Sequence, residues 1–96
     1  MSKYRKILNK KINFLYCGGI VNSFKLTSIK PIRESFSNLQ GKKEFKCEVD
    51  WSNKDIQGAD PILIFDEDDL DGLANTGVSV CPFSPLMVYK IDNSIN

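Results

Sequence analysis

The sequence predicts an α+β fold: an antiparallel sheet of four to five strands with one principal helix packed on it. Three observations carry this prediction. Glu44–Trp51 alternates without a break, with Phe45, Cys47, Val49 and Trp51 on one side and Glu44, Lys46, Glu48 and Asp50 on the other, as a half-buried strand requires. Two apolar runs flank Gly18-Gly19, a pair suited to a tight hairpin. Leu70, Leu73 and Ala74 fall at helical spacing between an acidic start and the stop signal Gly77.

The 96 residues form a single domain, 1–96, with enough chain for one core. A hydrophobic content of 42% with 26% charged residues is globular composition and excludes disorder. No apolar run exceeds four residues, so no segment reads as a membrane span. The basic start, Met1-Ser2-Lys3-Tyr4-Arg5-Lys6, leads into no apolar h-region, which argues against a secretory signal. Cys17, Cys47 and Cys81 are widely spaced and odd in number, which points to free thiols and a cytoplasmic location.

The chain has no histidine. That removes Ser-His and Cys-His nucleophile systems and the commonest metal ligand, so the sequence predicts no enzyme, no metal and no cofactor.

Charge is segregated along the chain. Residues 1–48 hold eleven Lys and Arg against three acids, whereas residues 49–96 hold two Lys against nine acids. Such asymmetry suits a charged partner, although packing of the two halves would also intersperse the charges.

In chain order, Met1–Asn9 reads as a lead-in or a short first strand. Lys10–Cys17 alternates Ile12, Phe14 and Tyr16 against Leu15 and Cys17 and is a strand. Gly18-Gly19 forms the turn, and Ile20–Ile29 returns as a second strand, ended by Pro31. Arg33–Lys43 is polar and reads as a loop, and Glu44–Trp51 is the next strand. The core is expected to contain Phe24, Leu26, Phe45, Val49, Trp51 and Ile64.

Gly58–Gly77 has two readings. In one, Asp60 caps a helix with Pro61 in its first turn, running to about Thr76. In the other, Ile62–Phe65 is a central strand and Asp66 caps a short helix with Glu67, Asp68 and Asp69 in its first turn. The second is preferred because it keeps Asp66 and Asp69 off the buried stripe. Val78–Cys81 then suggests a short strand and Leu86–Ile91 the last one.

Glu67-x-Asp69-x-Asp71-Gly72 imitates the opening of a calcium loop, but Val78 stands where the bidentate glutamate is needed. Tyr4, Phe14, Tyr16 and Phe24 lie among Lys3, Arg5, Lys6, Lys10, Lys11 and Lys25, a composition that could offer a nucleic-acid platform. These aromatics alternate as core residues do, so nucleic acid is the less favoured partner.

The strand carrying Phe45-Lys46-Cys47, followed by Gly58-Ala59-Asp60 ahead of an apolar segment, resembles small bacterial α+β immunity-type proteins of polymorphic toxin loci. The resemblance spans roughly residues 20–75. It implies an inhibitor of a cognate toxin, with no catalytic residue to carry over. Asp66, Glu67, Asp68, Asp69 and Asp71 are the expected partner-binding residues, because capping one helix needs only one or two of them. Their partner would be a toxin or another basic protein, a nuclease being the apt case. A nucleic-acid-binding accessory protein and a phage-encoded inhibitor of a host nuclease are the alternatives.

Overall fold

The computed structural model describes residues 2–32, 43–80 and 86–92. It contains a 3-10 helix (Ser2–Ile7), strands β1 (Lys11–Tyr16), β2 (Gly19–Pro31), β3 (Glu44–Trp51) and β4 (Ile62–Asp66), helix α1 (Glu67–Asn75), then β5 (Val78–Val80) and β6 (Met87–Ile91). The six strands pair antiparallel in the order β4-β3-β2-β1-β6-β5. The α+β class and the single principal helix are as expected. The sheet has six strands rather than four to five, because the three-residue β5 pairs with β6 and extends one edge.

The four strands β1 to β4 form a meander, and β6 returns to the free side of β1. The sheet curls strongly around its inner face. Phe24 lies on that face, fully buried, with the rings of Trp51, Tyr89 and Phe65 at 4.9, 5.6 and 6.5 Å. Leu26, Phe45, Cys47, Val49 and Trp51 are buried beside it, matching the alternation of β3. α1 closes the concavity with Leu70 and Leu73, both essentially inaccessible.

The N-terminal segment is neither lead-in nor strand. Tyr4 and Ile7 stand three residues apart, so a helix of three residues per turn stacks them on one side. Both are buried in the core. Asn9 then takes a left-handed conformation, φ 61°, and its N–H donates to the Leu26 carbonyl at 2.8 Å.

The hairpin turn is shifted by one residue from the expected glycine pair. Tyr16 pairs with Gly19, so the turn residues are Cys17 and Gly18, at φ 53° and 84°. Positive φ at both positions is what a two-residue hairpin demands. The core pair Ile12–Phe24 anchors the ladder below, and an irregularity after Phe14 lets Leu15 meet Ile20. A cysteine therefore carries the strained position.

The second reading of Gly58–Gly77 is the observed one, with a correction. Ile62–Phe65 is a strand, but β4 lies at the sheet's edge rather than its centre. Phe65 points inward and is buried, so strand alternation turns Ile64 outward, where it is 51% exposed. Ile64 is not a core residue. The expected loop falls on residues 33–42, outside the described residues apart from its last member, Lys43, and Cys81 is outside them too.

Candidate functional site

The five acids enter where β4 turns into α1. Asp66 is the N-cap, extended at φ −91° and ψ 175°, and its Oδ1 accepts the Asp69 N–H at 2.9 Å. Asp69 Oδ2 accepts the Asp66 N–H in return at 3.2 Å, completing a capping box. Asp69 Oδ1 also accepts from Ser79 Oγ at 2.8 Å, which ties the helix start to β5. Burial, the largest influence, pushes the Asp69 carboxyl above its ordinary range; the hydrogen bonds from Ser79 and the Asp66 main chain oppose it.

Asp71 sits one turn on and accepts from the Tyr4 hydroxyl at 2.8 Å, fastening the 3-10 helix to α1. Glu67 links to β3: its N–H donates to the Lys43 carbonyl at 2.9 Å, and its Oε1 lies 3.4 Å from the Lys43 N–H. Asp68 is exposed. The sequence reading placed all five in one binding role. Three of them, Asp66, Asp69 and Asp71, hold the fold together. Of the other two, Glu67 is half-buried beside Lys43 and Asp68 is exposed in the first turn of α1.

A sixth acid was missed. Glu44 is directly across from Asp66 in the β3–β4 register, so two carboxylates occupy one cross-strand position on the outer face. Such opposition of like charge is unfavourable within the chain. Lys46 lies opposite Ile64, and Lys43 lies beside Glu67. The sequence signal that could have found this corner is Asp60-Pro61, since proline at a strand start marks an edge.

The stretch that imitates a calcium loop is a helix start: Glu67–Asn75 is helix and Asp69 is committed to its cap. Among the described residues no three metal-ligating side chains converge. An open groove of about 320 Å³ lies at the far end of α1, where Lys6 and Lys10 stand beside Thr76 and Gly77. Lysines there complement the negative end of the helix dipole, which accounts for them structurally.

Of the aromatics in the basic half, Tyr16 is 51% exposed. Tyr4 and Phe24 are core, and Phe14 stacks on Tyr89 at 5.3 Å. Two lysines face acids of the second half: Lys25 lies across from Asp50, and Lys11 Nζ is 3.5 Å from Asp92. Antiparallel pairing thus intersperses part of the charge that the sequence segregates, while Lys30 and Lys46 lie across from each other.

No helix among the described residues is long and apolar enough to cross a membrane. No protein-family model matches the chain, and no curated protein or solved structure shows a significant similarity to it.

Proposed function

We propose that this chain is a cytoplasmic, non-enzymatic inhibitor that binds one basic protein, in the manner of an immunity protein neutralising a cognate toxin. The supporting observation is the corner where Glu44, Asp66, Glu67 and Asp68 gather at one end of an edge strand. A cationic groove is attracted to clustered carboxylates, which speeds encounter. Nucleases carry such grooves because they bind phosphate backbones, so a nuclease toxin is the apt target. Asp66, Asp69 and Asp71 serve by shaping the corner, and Glu67 and Asp68 make the contacts.

The test is co-expression with the product of the adjacent gene. Protection of the host by the parent chain, lost in the Glu67→Lys/Asp68→Lys variant, is the expected result. A host equally protected by both forms would remove the acidic corner from the interface.

A further inference from the structure

The edge strand beside the acidic corner has its own hydrogen-bonding consequence. The Val49 N–H donates to the Pro61 carbonyl at 2.8 Å, and the register continues through Cys47–Leu63 and Phe45–Phe65. Main-chain bonding alternates along an antiparallel strand, so Pro61, Leu63 and Phe65 turn their polar groups toward β3. Those of Ile62 and Ile64 therefore point away from the sheet. Among the described residues no strand lies on that side. The side chains of Ile62 and Ile64 are 37% and 51% exposed on the outer face. Soluble proteins usually blunt such an edge with lysine, proline or a bulge. Ile62–Phe65 contains neither lysine nor proline, and its pairing with β3 is regular.

We infer that β4 is a docking edge for one extended strand of a basic partner, whose main chain pairs with Ile62 and Ile64 while its cationic ends meet the acids flanking the strand. This rests on the proposed inhibitor function and names its binding mode.

Charge selects the occupant. Asp60 precedes the strand, and Asp66, Glu67 and Asp68 follow it, with Glu44 alongside. A second copy paired antiparallel about Leu63 would set Ile62 against Ile64 but Asp60 against Asp66 at both ends. Like charges directly opposite disfavour that dimer. A strand bearing lysine or arginine at each end instead meets Asp60 at one end and Glu67 and Asp68 at the other. Added strands of this kind draw affinity from main-chain bonds and specificity from flanking side chains.

The experiment uses the full chain and a synthetic peptide of about nine residues, alternating valine and threonine with two lysines at each end, a length suited to one strand. Amide hydrogen exchange and chemical shifts are followed by NMR at low salt. The amides of Ile62 and Ile64 are expected to slow by about tenfold or more at saturation, as newly paired edge amides do. A peptide with glutamates at its ends should bind at least about tenfold more weakly. Ile64→Pro removes one outward N–H while leaving the bonds to β3, and Ile64→Lys places a cation on the edge; both should weaken binding of the lysine-ended peptide about tenfold.

Absence of binding to the parent, equal affinity for the two peptides, shifts away from β4, or a dimer of the chain through β4 would overturn the inference. If Ile64→Pro melts early, Ile64→Lys decides. Against the adjacent gene product, loss of binding in Glu67→Lys/Asp68→Lys with retention in both Ile64 variants removes the docking edge and leaves the inhibitor function standing. Peptide docking at β4 with no effect of the chain on that gene product does the reverse.

Discussion

Phe65 and Tyr89 lie four strands apart in the sheet order, yet their ring centroids are 5.2 Å apart at an interplanar angle of 80°. A flat sheet would hold strands four steps apart at about 19 Å. The edge-to-face contact therefore measures the curl, and it seals the core across the mouth of the sheet. Phe24 lies beneath both rings, and Trp51 and Tyr89 flank it.

Truncation of this aromatic centre should be severe. Phe24→Ala or Trp51→Ala is expected to cost about 3–5 kcal/mol, a large share of the stability of a domain this small. Ile64→Ala should cost under about 1 kcal/mol, because its side chain is half exposed. Urea unfolding followed by tryptophan fluorescence compares Phe24→Ala and Ile64→Ala directly. Equal losses at the two positions would contradict the facing of β4.

The close approach of α1 to β5 depends on Gly72. A Cβ there would stand 2.6 Å from the Val78 carbonyl oxygen. Alanine normally stabilises a helix interior by about 1 kcal/mol over glycine. Here Gly72→Ala should instead lower the melting temperature by several degrees, on the order of 1–3 kcal/mol of overpacking in so small a domain. A rise in the melting temperature would show that the helix stands farther from β5.

Thiol reactivity should separate the cysteines. Burial, aided by the nearby charge of Asp69, pushes the Cys47 thiol up to about 12, and its side chain is inaccessible. Cys17 is exposed in the hairpin turn. In a Cys81→Ser background, a disulfide reagent near neutral pH should modify Cys17 promptly and Cys47 only on unfolding. Prompt modification of both in the folded chain would contradict the burial of β3.

The raised Asp69 carboxyl gives a pH signature. Folding makes Asp69 hold its proton more tightly, so its contribution is most favourable below the ordinary aspartate range and declines as pH rises through the folded value. Asp69→Asn keeps an acceptor for the cap and a donor for Ser79. The variant should be more stable than the parent near neutral pH, with the difference shrinking below about pH 4. A difference that grows on acidification would reverse the sign assigned to burial.

Much of the fold was legible because its signals are local. The alternation of Glu44–Trp51 gave β3 and its buried face, and Asp66 with Gly77 bracketed α1. What escaped depended on tertiary placement. Ile62–Phe65 is apolar enough for a central strand, and only Pro61 hinted at an edge. The single-residue shift of the hairpin comes from the register irregularity after Phe14, which a glycine dipeptide cannot announce. The acidic cluster was visible at once, but its division was not. Tyr4 lies 67 residues from Asp71, and Ser79 reaches Asp69 only once β5 has docked.

Association kinetics with the adjacent gene product, measured across a salt series, test the central claim most directly. Glu67→Lys/Asp68→Lys keeps the main-chain bond from Glu67 to Lys43, and circular dichroism of the variant checks its folding first. The account predicts association slowed by about tenfold or more at low salt, with a smaller difference at high salt, where screening weakens steering in the parent. Unchanged association of the double variant at low salt, with the parent binding tightly, would contradict it.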